Sequence, residues 1–179
     1  MQQQRMGVVV IGQSPRPSVA GEIAAVLSPG MQIDLRGALD GMTRAEIDAI
    51  PPVDGYDTLF TLLPNGDGVT LSKKAVEARA ARQIEKFAGE GIKVTMLACT
   101  GKFPNIAPEG LVILPSAVLH KLVEAVLPKG RLGVFSPLAA QTELIGKNGS
   151  ATASRSSASP CSQDRTMPPS TPLRKKWRR

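Results

Sequence analysis

MGVVVIGQSPRP, residues 6–17, decides how the chain folds. Residues 6–11 form a short, unbroken apolar run rich in β-branched side chains, and Gly12 closes it. Alternation of apolar and polar residues would mark a strand with one wet face. A continuous run marks a strand buried on both faces, the signature of a parallel sheet covered by helices. Ser14-Pro15-Arg16-Pro17-Ser18 then reads as a loop. A helix opening at Pro17 or Ser18 and running through Leu27 follows from proline's fitness for the first helical turn.

The pattern then repeats along the chain. Residues 31–35 suggest a second strand. Thr43-Arg44-Ala45-Glu46 is a capping box opening a short helix, which Pro51-Pro52 ends. LFTLLPNGDGVTLSKK, 59–74, holds two β-rich runs around Asn65-Gly66-Asp67-Gly68, residues that tolerate positive φ, and it reads as a hairpin. Ser72 caps a helix to about Ala88, with Val76, Ala80, Ile84 and Phe87 on one face. Strands follow at 92–98, 111–114 and 131–135, with helices from Pro115 to about Leu127 and from Ser136 to about Lys147. Strands alternating with helices at this spacing predict an α/β fold, a three-layer sandwich around a mainly parallel sheet with an added β-hairpin.

Bulk composition sets the limits. The 179 residues are 42% hydrophobic and 21% charged, which suits one ordinary globular domain. Aromatic residues make up only 3%, so the core must be aliphatic. No apolar run approaches the roughly 20 residues that span a bilayer, and the N-terminal run is a poor signal peptide, so a cytoplasmic protein with no membrane partner is expected. Cys99 and Cys161 make no disulfide framework and offer too few ligands for zinc, so no metal site is expected.

The net charge of +7 is unevenly spread. Residues 150–179 hold seven basic residues and one acid, whereas 1–149 hold 15 basic and 14 acidic residues. The body is neutral and carries no electrostatic footprint for specific nucleic-acid binding. The tail segment LRKKWRR, 173–179, could give only weak, salt-sensitive binding. The division into an α/β lobe, 1–149, and a Ser-, Pro- and Arg-rich tail, 150–179, follows from this shift. A segment so poor in aliphatic side chains cannot offset its ordering entropy and is expected to be disordered.

Two stretches could carry chemistry. LACTGKFPN, 97–105, places Cys99 where a strand should end, followed by Thr100 and Gly101. Ligands of parallel sheets bind at the carboxyl ends of strands. Backbone amides in such a loop can stabilise a thiolate or hold a carboxylate, and Gly101 permits close backbone approach. Free cysteine is equally a small buried apolar residue, and spacing alone leaves both readings open. The second stretch is Gly12-Gln13-Ser14-Pro15-Arg16-Pro17, which offers an amide, a hydroxyl and a guanidinium able to clamp a carboxylate or phosphate. An ordinary proline turn is the competing reading. Neither GxxxxGK[ST] nor GxGxxG is present. His120, the only histidine, lies mid-helix without an evident partner, and Asp34, Asp40, Asp54 and Asp57 fall at turns or caps as structural acids.

VVVIGQSPRPSV (8–19), LACTGKFP (97–104) and ILPSAVLHKLVEAVLPKGRLGVFSPLAAQ (113–141) together resemble the N-terminal part of the AroM family, over about residues 5–147. The hairpin at 59–74 falls where that family has one. AroM proteins are similar to the aspartate/glutamate racemase superfamily, whose fold pairs two pseudo-symmetric α/β lobes. The resemblance implies an enzyme relative that uses no cofactor and acts on a small carboxylate. One thiolate removes the α-proton and an opposite thiol returns one, which makes it a racemase or isomerase. It makes Cys99 the catalytic cysteine of the first lobe. It carries over Thr100 beside Cys99 and, more loosely, Ser14 and Arg16 of the first loop; with Gln13 and Gly101 of the same two loops these are the expected substrate-binding residues. Lys102 stands where the family often has Glu, which alters the charge beside Cys99.

The resemblance also implies a second half with its own cysteine loop. Cys161, in SASPCSQD, has no strand before it and does not fill that role. The abrupt change near Gly149 is what a reading-frame shift in a GC-rich gene produces. The expectation is therefore a first lobe of low activity, truncated, with apolar surface left uncovered and room for a homo-oligomer. A small-carboxylate binder or regulator on the same fold, without catalysis, is the alternative.

Overall fold

The computed structural model describes residues 4–106, 110–129 and 132–134. Its elements are β1 (Arg5–Val10), α1 (Pro17–Ala24), β2 (Gln32–Gly37), α2 (Arg44–Asp48), β3 (Thr58–Leu62), β4 (Gly68–Ser72), α3 (Lys73–Gly89), β5 (Val94–Leu97), β6 (Leu111–Ile113) and α4 (Pro115–Val126). The fold is α/β: a four-stranded sheet in the order β2-β1-β5-β6, parallel at every pairing, with β3 and β4 forming a separate antiparallel hairpin.

β1 is the axis of the sheet. Val8 and Val9 are fully buried, and Met6, Gly7 and Val10 are buried too. Successive side chains of a strand point to opposite faces, so burial at every position means both faces are covered. Gly7, Val9 and Ile11 face α3. A Cβ on Gly7 would lie 2.7 Å from the Phe87 ring, and Val9 and Ile11 join the core with Val76, Ala80, Ile84 and Phe87. Each fully buried aliphatic or aromatic side chain of this set stabilises the lobe by about 1.5–3 kcal/mol. The i, i+4, i+8, i+11 spacing on α3 is what lets one helix cover β1, β2 and β5 at once.

Local signals fix the connections. Thr43 makes the full capping box with Glu46, and its bonds hold the Glu46 carboxyl below the usual range. Ser72 caps α3 by accepting from the Ala75 N–H. Gly66 turns the hairpin and Gly91 the exit of α3, both at positive φ. Residues 132–134 are irregular, unlike the strand expected over 131–135. The helix expected over 136–147 and the tail from 150 lie outside the described residues.

Sheet order positions the site. From β1 the chain steps to β2 on one side, then crosses back through α3 to β5 on the other. The order therefore reverses between β1 and β5. In open parallel sheets the loops leaving the two strands at such a point diverge and open a crevice at their carboxyl ends. Val9 pairs with Leu97, so the loops starting at Ile11 and at Ala98 leave the sheet side by side.

Candidate functional site at the switch point

The first wall is the loop from Gly12 to Arg16, and side chains from elsewhere hold it. Asp40, just past β2, accepts from the Ser14 N–H at 2.7 Å, the Ser14 hydroxyl at 2.8 Å and the Gly37 N–H at 2.7 Å. Gln13 donates its side-chain amide to the carbonyls of Met42 (2.9 Å) and Leu39 (3.3 Å). Arg79 of α3 donates to the Ala38 carbonyl at 2.7 Å, fixing the same turn from behind. Ser14 and Gln13 are thus committed to shaping the loop. The Ser14–Pro15 peptide bond is cis.

Arg16 is held differently. One guanidinium nitrogen donates to the Leu62 carbonyl at 2.5 Å, at the end of β3. Arg5, Arg36 and Arg44 each pair with carboxylates, whereas Arg16 has no carboxylate partner among the described residues. It is the residue before the first turn of α1, and no side chain caps that helix. A cleft of about 220 Å³ lined by Ser14, Pro15, Arg16, Pro17, Ala20 and Leu35 opens there.

The second wall is the loop after β5. Cys99 is half-buried and packs against the core cluster. The Gly101 N–H donates to its Sγ at 3.4 Å. Burial raises the Cys99 pKa, and the Gly101 and Thr100 N–H groups oppose that rise without cancelling it. Near neutral pH the sulfur is a thiol. Thr100 and Lys102 are exposed, Gly101 is partly buried, and Phe103 and Ile106 are buried and root the loop in the core.

The hairpin bridges the two walls, a feature that sequence reading missed. A Cβ on Gly12 would lie 2.8 Å from the Thr61 hydroxyl, and one on Gly101 would lie 3.4 Å from Leu59. β3 therefore runs across the carboxyl edge from one loop to the other. Neither Cys99 nor Thr100 lines the Arg16 cleft, so the structure brings the two sequence motifs to one edge without merging them into one cavity. A larger cleft, about 310 Å³, lies between α2 and the hairpin tip. Its charged rim is internally paired, Arg44 with Asp67 at 2.8 Å. His120 is exposed on α4, and Asp54 and Asp57 serve turns as expected, whereas Asp34 lies within β2, not in a turn, and pairs with Arg5. Among the described residues no cluster of three or more His, Cys, Asp or Glu is placed to hold a metal ion, and no helix is long and apolar enough to cross a membrane.

Fold and site together define a parallel α/β protein whose switch-point edge carries a thiol on the loop after β5 and, on the loop after β1, an arginine beside its own small cleft. The family model described as AroM protein matches residues 6–167, and the chain belongs to the AroM family. No curated protein and no solved structure matches the chain.

Proposed function

We propose that this lobe binds a small carboxylate at the carboxyl edge of β1, with Arg16 as its clamp. One observation carries the reading: an arginine without a carboxylate partner, anchored by a single carbonyl, at the uncapped start of a helix and beside a cleft of about 220 Å³. The remaining guanidinium N–H groups are directed donors, and the N–H groups opening α1 add a positive end to the field. A carboxylate satisfies both. Malonate, succinate and aspartate titrated calorimetrically into the protein should bind, and the diamide of malonate should not. Arg16→Gln should weaken binding by about tenfold or more, the loss expected for a charge-assisted bond. Unchanged affinity in that variant would remove the proposal.

A second reading follows from the family's likeness to cofactor-independent racemases, in which Cys99 moves a proton at the α-carbon. The support is its place at the edge of the sheet, with a backbone N–H directed at the sulfur. Held as a thiol, Cys99 can give a proton to a carbanion, but it must ionise before it can take one. Proton exchange with inversion needs a second group on the opposite face of the carbon. Deuterium appearing in aspartate incubated in heavy water, and lost in Cys99→Ser, would support catalysis. Binding without exchange would leave the carboxylate-binding role alone.

A further inference from the structure

Glu77 is a charged side chain only 5% exposed, on α3, with no basic partner among the described residues. Its two oxygens accept from a single residue of the Cys99 loop: the Asn105 N–H at 2.8 Å and the Asn105 side-chain amide at 3.0 Å. Burying a carboxylate is costly unless bonded donors replace its water. Phe103 and Ile106 anchor the loop by apolar burial, which is non-directional and does not set the rotation of the peptide planes. The Glu77–Asn105 chelate is directional and does. Four residues upstream of Asn105, the Gly101 N–H must point at Sγ for the observed contact.

We propose that Glu77 is a positioning residue that latches the 99–106 loop and so sets both the shielding and the proton affinity of the Cys99 thiol. The effect on the thiol stands by itself; its bearing on ligand binding rests on the reading above. A carboxylate offers two acceptors. Glutamine offers one, and it preserves the chelate only if the Asn105 amide turns over to accept from it. Alanine preserves neither bond.

The test is alkylation of the intact protein by iodoacetamide across pH, with Cys99 followed by peptide mass spectrometry so that Cys161 is read separately. In Glu77→Ala, Cys99 should react roughly tenfold faster than in the parent, because one or two bonds of charge-assisted strength no longer oppose loop opening. Its ionisation midpoint should fall toward that of an ordinary thiol. Glu77→Gln should keep the parent midpoint and react within about threefold of the parent rate. A folded Glu77→Ala variant with the parent rate and midpoint overturns the proposal. If that variant does not fold, Asn105→Ala decides: it removes one of the two donors at an exposed position, and an unchanged Cys99 rate there is equally fatal. Carboxylate titration of the parent is independent of these readouts. Absent binding with latch-dependent reactivity would remove the functional reading and leave the role of Glu77 intact.

Discussion

Gly37→Ala should break the packing that shapes the first wall of the site. Gly37 ends β2, is buried and lies opposite Val10. A Cβ there would collide with the Gly12 carbonyl oxygen and would lie 2.5 Å from the Asp40 carboxylate and 2.7 Å from the Gln13 Cα. Two of these three neighbours are backbone. Comfortable carbon contacts need about 3.5 Å or more, so the loops after β1 and β2 must part by roughly 1 Å. Overpacking of this kind costs about 1–3 kcal/mol. The three bonds into Asp40 lengthen together, and losing the worth of one charge-assisted bond adds about 1.5–3 kcal/mol. A total near 3–5 kcal/mol lowers Tm by roughly 10 °C for a chain of this size. Gly21→Ala is the control. It lies within α1 with nothing within 4 Å of its ideal Cβ, and should gain about 0.5–1 kcal/mol from helix propensity alone. Thermal unfolding followed by circular dichroism reads both variants. A Gly37→Ala protein melting within about 2 °C of the parent would refute the close-packed account of the Gly12–Asp40 junction.

Other variants probe the remaining elements. Ser72→Ala removes the α3 cap and should cost about 1–2 kcal/mol in denaturant unfolding, since Ser72 serves the Ala75 N–H at the start of the helix that forms the core. Asp57 meets opposing influences: burial raises its pKa, while bonds from the Lys74 N–H, Ser72 and the Val53 N–H lower it further, and the net pKa lies below the ordinary value. Its folded pKa being the lower one, its stabilisation is present above the unfolded pKa and lost as pH falls through the folded one. Asp57→Asn should therefore melt below the parent at neutral pH, and the gap should close on acidification; a pH-independent gap would contradict the linkage. Cys99 has the reverse sign. Its folded pKa is raised by burial, so stability falls as pH climbs from the unfolded thiol pKa through the folded one, and Cys99→Ser should flatten that alkaline decline.

Much of the architecture was legible because local signals and burial agreed. The unbroken 6–11 run became a central parallel strand, the Asn65–Gly68 turn became a hairpin, and Thr43 and Ser72 capped the helices expected of them. Elements came out shorter at their ends. The strand expected over 92–98 spans Val94–Leu97, because Ala98 still bonds to Val9 while Cys99 turns back on the Leu97 carbonyl. The placement of Cys99 and Arg16 on one edge was legible in outline, since both follow strands. What they touch was not. Arg16 meets Leu62 across 46 residues and Asn105 meets Glu77 across 28, and no periodicity encodes contacts of that range.

Glu77 is the instructive case. In sequence it is one more charge on an amphipathic helix, flanked by Val76 and Ala78, where charges belong on the solvated face. Position 77 lies only one residue from Val76 and about 100° around the helix from it, at the border of the buried stripe. A border position can be wet or covered depending on which loop crosses it, and here the Cys99 loop does. The same logic holds on the other wall, where Asp40 in a turn proves to be the acceptor for Ser14. Each of the two loops is thus fixed by a carboxylate that neither loop contains. Among the described residues Arg16 and Cys99 have no carboxylate partner of this kind, and Cys99 is itself half-buried. Arg16 keeps unused donors, and Cys99 keeps a proton that burial holds on. The acids beside both loops are spent on shaping them: Asp40 on Ser14 and Gly37, Glu77 on Asn105.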